Sequence, residues 1–140
     1  MIPRGLPRRL FLAGSFMLPA SFVSAQGAPS LSAREAHDAV QAGRIALIDI
    51  RTVEEWRDTG LPQGAIALDA ETPGFEVRLA GLRLDHPGKR IALIDPSGAL
   101  SAATRTKLAG RGWRDIVAVR GGMLGPGGWL AERLPVTAYP

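Results

Sequence analysis

Hydrophobic positions along the chain alternate between two patterns, spaced apolar residues and short continuous runs. Ser32-Ala33-Arg34-Glu35 reads as a capping box, with Ser32 at the N-cap and Glu35 three residues on. Ala36, Ala39 and Val40 then lie on one side of a helix expected to reach about Ala42, with Gly43 as its stop. Ile45-Ala46-Leu47-Ile48-Asp49-Ile50 is a continuous apolar run carrying one charge, which suits a strand buried on both faces of a parallel sheet. Thr52, with Glu54 and Glu55 in the first turn, opens a second helix expected to end near Asp58.

Residues 60–64 have turn composition, and 65–68 form a short strand. Over 71–88 the pattern is mixed: Phe75, Leu79, Leu82 and Leu84 predict a helix that Pro87-Gly88 closes. Ile91-Ala92-Leu93-Ile94-Asp95 then repeats the earlier strand. A loop over 96–100, a helix over 101–109, the strand Ile116-Val117-Ala118-Val119 and a glycine-rich tail carrying Met123, Trp129 and Leu134 follow. Strands alternating with helices at this spacing predict an α/β domain with a mostly parallel sheet. No 20–50-residue repeat is present.

The first 25 residues follow a different logic. Residues 1–9 are basic, 10–23 are apolar but broken by Gly14, Ser15, Pro19 and Ser21, and Val23-Ser24-Ala25 ends in small residues. That is the pattern of a secretory signal peptide, with cleavage expected between Ala25 and Gln26. The apolar stretch is too short for a membrane span, which needs about 20 residues. Arg8-Arg9-Leu10-Phe11-Leu12 resembles the twin-arginine export motif, and a general secretory route fits equally well. The implied host is bacterial and the implied compartment periplasmic. The expected organisation is a leader over 1–25, a spacer over 26–30, one domain over 31–136 and a tail over 137–140.

Charge adds little once it is located. The chain carries 17 Lys and Arg against 13 Asp and Glu. Arg4, Arg8 and Arg9 all sit in the leader, so 14 basic residues face the 13 acidic ones in the remainder. No basic run is left to follow a phosphate backbone, which argues against nucleic acid as a partner. The absence of cysteine removes far more: disulfides, thiolate metal sites and a thiol nucleophile are all excluded.

Three motifs occur in an order that resembles a single rhodanese-like domain. Leu47-Ile48-Asp49-Ile50-Arg51, Glu54-Glu55-Trp56, and Gly60 with Gly64-Ala65-Ile66 look like the family's first signature, although its turn histidine is absent from Gly60-Leu61-Pro62-Gln63-Gly64-Ala65. Gly121-Gly122-Met123, Gly128-Trp129 and Leu134-Pro135-Val136 look like its C-terminal signature. The resemblance implies a five-stranded, mostly parallel sheet with helices on both faces. It also implies sulfur transfer through a cysteine that opens a six-residue loop, with backbone N–H groups and a helix N-terminus around the sulfur. Here that loop is Asp95-Pro96-Ser97-Gly98-Ala99-Leu100, with Ser101 opening the helix. The family's cysteine position is Asp95, and Pro96 and Leu100 stand where relatives often carry cations. Thiol and positive charge are lost together, so the loop is expected to have left sulfur transfer.

The candidate residues then divide. Asp95 is expected to cap its own loop, and Asp49 to fix a local turn. As a pair at neighbouring strand ends, the two carboxylates could instead hold Mg²⁺ or Ca²⁺, though no third ligand is in view. Arg51 is expected near the loop, in an ion pair with Glu55 or Asp95. His37 and His86 lack a partner at metal spacing and read as surface residues. Trp56, Trp113 and Trp129 read as packing residues, and Ser97 and Ser101 lack a histidine base. The expectation is an exported binding or accessory module with an unidentified periplasmic protein partner. No cofactor, no metal, no nucleic acid and no membrane span after cleavage is expected. An enzyme of the same fold with Asp- or metal-dependent chemistry is the alternative.

Overall fold

The computed structural model describes Gly5 and residues 30–140. The leader, its twin-arginine motif and the Ala25–Gln26 cleavage point lie outside the described residues. Among the described residues no helix is long and apolar enough to cross a membrane.

The chain runs β1 (Ser30–Leu31), α1 (Ala33–Gln41), β2 (Ile45–Asp49), α2 (Val53–Thr59), β3 (Leu61–Pro62), β4 (Ile66–Ala67), α3 (Phe75–Asp85), β5 (Arg90–Ile94), α4 (Ala99–Ala109), β6 (Ile116–Val119) and β7 (Val136–Thr137). Five strands form one sheet in the order β1-β6-β5-β2-β4, every pair parallel. This is the expected five-stranded α/β architecture. Two helix starts follow the sequence closely: Ser32 with Glu35, and Thr52 with Glu55, each make both hydrogen bonds of a capping box.

Side chains alternate strictly across the sheet and create two apolar layers. Ile45, Leu47, Ala92, Ile94, Val117 and Val119 pack on one face with Ala33, Ala36 and Ala39 of α1, and with Met123, Trp129 and Leu134. Ala46, Ile48, Ile91, Leu93 and Ile116 pack on the other with Leu79 of α3 and Leu108 of α4. Small alanines let α1 lie close to the sheet.

Several boundaries differ from the sequence expectation. Ser30, read as the last spacer residue, pairs with Ala118 at the sheet edge. Thr137, read as tail, pairs with Leu61 in a second sheet of two antiparallel strands, and the Tyr139 ring lies 5.2 Å from that of Trp56. Both strands are two residues long, too short to show any period. Helix α4 starts at Ala99, two residues early, so Leu100 belongs to it. Leu84 lies on α3 as expected but points outward, 80% exposed. His37 is not a free surface residue, because its ring stands edge-on to Trp129 at 5.8 Å.

Candidate functional site

The C-terminal ends of β2 and β5 place two aspartates in the interior. Asp49 ends β2 and is fully buried; Asp95 follows β5 and is 1% exposed. Each meets its charge differently.

Asp49 is held by Arg51. The Arg51 backbone N–H donates to Asp49 Oδ1 (3.1 Å), Nε donates to both oxygens (3.0 and 3.1 Å), and Nη2 donates to Oδ2 (2.9 Å). The guanidinium is itself buried and donates further to the Thr59 hydroxyl (2.8 Å) and the Gly60 carbonyl (2.9 Å). The sequence expectation of an Arg51 pair with Glu55 or Asp95 is therefore corrected. Glu55 offers only its backbone carbonyl, at 3.5 Å, because its carboxylate turns back to the Thr52 N–H in the capping box. Thr59 and Gly60 were not foreseen as partners, since a spacing of eight or nine residues carries no helical signature.

Asp95 is held by backbone. Its Oδ1 accepts the Gly98 N–H at 2.7 Å, and its Oδ2 accepts the Leu100 N–H at 2.8 Å. Gly98 is the N-cap of α4 and supplies no side-chain cap, so the first helical turn would otherwise leave these donors unpaired. Asp95 caps the helix from three residues upstream. Gly98 must be glycine-like, with φ of 98° in the left-handed region. Ser97 Oγ accepts the Ala99 N–H at 3.3 Å. Pro96 contributes a carbonyl and no donor.

A second segment grips this loop from outside. The Met123 N–H donates to the Asp95 carbonyl and the Leu124 N–H to the Pro96 carbonyl, both at 2.8 Å. Gly122 makes that approach possible, because a Cβ there would collide with the Asp95 carbonyl and stand 2.8 Å from the Gly98 nitrogen. The Gly121-Gly122-Met123 motif, prominent in the sequence without a stated role, is the wall of the loop. Ser101, in the first turn of α4, has a fully buried hydroxyl with no hydrogen-bond partner among the described residues.

The arrangement limits the chemistry available. All four carboxylate oxygens of Asp49 and Asp95 already accept hydrogen bonds. The strands' alternation also separates the pair. Asp49 shares the face of Leu47 and lies opposite Ile94, whereas Asp95 is one residue further and follows the face of Leu93. Sequence adjacency of the strand ends thus does not make a two-carboxylate cage. Among the described residues no group of three or more His, Cys, Asp or Glu side chains could hold a metal ion.

Comparison with known proteins agrees with this geometry. The model of the rhodanese-like domain family matches residues 32–125. No curated protein matches the chain. Among solved structures, a rhodanese-related protein from Thermoplasma volcanium superposes with a TM-score of 0.62 at 20% identity, covering 80% of this chain and 100% of that one. A rhodanese-like domain from Anabaena gives 0.62 at 19% identity, covering 80% of each chain. One from Staphylococcus aureus gives 0.56 at 21%, covering 79% of this chain and 100% of that one. These likenesses speak for the fold, and the family match speaks for more: the chain belongs to the rhodanese-like domain family.

Proposed function

We propose that this chain is an exported, periplasmic rhodanese-like domain without sulfurtransferase activity, serving as a binding or accessory module. The observation that carries the reading is the occupancy of the loop. Where the family resemblance places a sulfur-bearing cysteine, the buried Asp95 carboxylate takes the Gly98 and Leu100 N–H groups for itself. A carboxylate there supplies the negative charge that a bound sulfur species would otherwise supply. The chain has no cysteine elsewhere to carry sulfur.

The surroundings support the same reading. Leu100, at a position where relatives often carry a cation, is exposed at the loop, and Leu124 is exposed beside it. An anionic sulfur donor gains nothing from that surface, whereas an apolar side chain of a partner protein does. An Asp- or metal-dependent enzyme would need a carboxylate open to substrate or ion with further ligands beside it. Asp49 and Asp95 are instead buried, and among the described residues no group of three or more His, Cys, Asp or Glu forms a metal site.

Thiosulfate:cyanide sulfurtransferase assays test the proposal on the parent and on Asp95→Cys. Thiocyanate is expected at the buffer blank for both, because the substitution returns the thiol without the loop cations. Family-level turnover in the cysteine variant would overturn the claim that the whole loop has left sulfur transfer. Export is tested separately by N-terminal sequencing of protein recovered from the periplasm. Gln26 is expected first, and an intact Met1 on membrane-bound material would overturn it.

A further inference from the structure

Helix α3 is apolar on two sides, and only one of them is used. Leu79 is fully buried, with Phe75 and Leu82 packed around it against the sheet. On the opposite side Val77 and Leu84 are 77% and 80% exposed, the most exposed of the large apolar residues described. Between them lie Ala80 and Gly81, and a Cβ built on Gly81 meets nothing within 4 Å. At 3.6 residues per turn these four positions form one outward stripe, large at each end and small in the middle.

The flanking charges share a symmetry with the stripe. Glu76 and Arg83 border one side of it, and Arg78 and Asp85 border the other. Read from its centre, between Ala80 and Gly81, the helix is nearly palindromic: Glu76 answers Asp85, Val77 answers Leu84, and Arg78 answers Arg83. A two-fold axis through that centre turns this into complementarity. It lays Val77 over Leu84 of a second copy and Ala80 over Gly81, so the backbones can approach closely. It keeps each flank facing its own equivalent with direction reversed. Arg78 then stands beside Asp85 of the second copy, displaced along the axis by about 3 Å, the rise of two residues. Glu76 stands beside Arg83 in the same way. Antiparallel helix dipoles favour this orientation.

The intramolecular pairing leaves two of the charges available. Glu76 is already engaged by Arg111, and Arg83 lies over the Trp113 ring at 5.3 Å. Arg78 and Asp85 have no ion-pair partner in the chain among the described residues. Both line a shallow groove of about 330 Å³ between α3 and Ile66–Leu68 at the β4 edge. An eleven-residue helix is about 16 Å long, so one such face is smaller than the roughly 800 Å² per partner of a standard interface.

We propose that the outer face of α3 is a self-complementary docking surface through which two copies of the chain pair, helices antiparallel and centred between Ala80 and Gly81. The area makes the pair a weak one, formed at roughly tens to hundreds of micromolar, beyond even the micromolar end of the range that standard interfaces span.

Sedimentation equilibrium of protein purified from cells expressing the full chain tests this. The parent is expected to shift from monomer to dimer mass over roughly 10–500 µM, a range set by the small area. Gly81→Leu places a side chain in open space on a helix that tolerates it, so folding is preserved while close approach is blocked. At least a tenfold weaker dimer is expected, with a melting temperature no lower than the parent's, since leucine is the better helix former. Arg78→Asp and Asp85→Arg should each weaken the dimer, and the double variant should recover it, because residue 78 meets residue 85 of the other copy. A parent that stays monomeric throughout the range overturns the proposal and assigns the face to a different partner. A dimer indifferent to Gly81→Leu overturns it as well. Failure of the double variant to recover overturns the antiparallel register.

Discussion

Asp49 and Asp95 follow the same three residues, Ala-Leu-Ile, at the ends of adjacent parallel strands, and both are buried. The two copies of that tetrapeptide are offset by one residue in the sheet, since Asp49 lies opposite Ile94. A one-residue offset reverses the face to which each side chain points. Asp49 therefore meets a guanidinium two residues on, and Asp95 meets the start of α4. The first carboxylate is neutralised by a mobile side chain that has been locked in place, the second by backbone donors fixed by the fold. Near-identical sequence thus yields one structural ion pair and one sealed loop. What separates them is register and the segment that follows, neither of which the residue type announces.

The comparison predicts unequal costs of disruption. Arg51→Ala removes the guanidinium that neutralises the buried Asp49 carboxylate and leaves that charge uncompensated. Breaking a buried pair from one side costs about 3–5 kcal/mol, and denaturant unfolding at pH 7 should show a loss of that size. A cost under about 1 kcal/mol would place the pair in the energy range of solvent-exposed ones. Asp95→Ala loses two charge-assisted hydrogen bonds at a helix start but leaves no opposite charge unpaired. Its cost is expected at about 1–2 kcal/mol, that of a lost helix cap. If Asp95→Ala were the more damaging, the distinction between locked ion pair and backbone cap would fail.

Glu35 gives the exposed limit of the same series. Hydrogen bonds from the Ser32 backbone N–H and then its hydroxyl, helped by the Arg120 guanidinium, hold its pKa below the usual 4.5. A lowered folded-state value means the stabilisation is complete above 4.5 and fades as pH falls through the folded value. Its side chain is 59% exposed, so solvent screening leaves the contribution at about 0.3 kcal/mol. Glu35→Ala should therefore cost about 0.3 kcal/mol at pH 7, and that gap to the parent should close as pH falls below about 4.

How much of this the sequence discloses depends on range. The capping box at Ser32 and the N-cap at Thr52 are local, contained within four residues, and are readable directly; that Thr52 also forms a full box with Glu55 comes from the structure. The buried strands are readable too, since their apolar runs need no partner to be recognised. The helical period of α3 was readable, yet it did not say which apolar residues face the sheet, and Leu84 faces away. The edge pairings of Ser30 and Thr137 depend on residues some ninety and seventy-five positions distant, with nothing local to mark them. For the candidate loop, the resemblance located Asp95 and local capping logic foresaw its use of loop N–H groups. The partner of Arg51 was missed because the arginine folds back on Asp49, two residues earlier, through a turn that no helical spacing predicts.

The central claim is that the Asp95 carboxylate fills an anion cradle built by the loop. Chemical rescue tests it most directly. In Asp95→Ala the Gly98 and Leu100 N–H groups lose their acceptor, and formate supplies the missing carboxylate at the same place. Thermal melts of parent and variant are compared in formate and in chloride at equal ionic strength, which removes general salt effects. The variant's melting temperature should rise in formate relative to chloride, saturating with concentration as a binding site does, while the parent shows no such difference. Equal stability of the two proteins in chloride, with equal responses to formate, would contradict the claim.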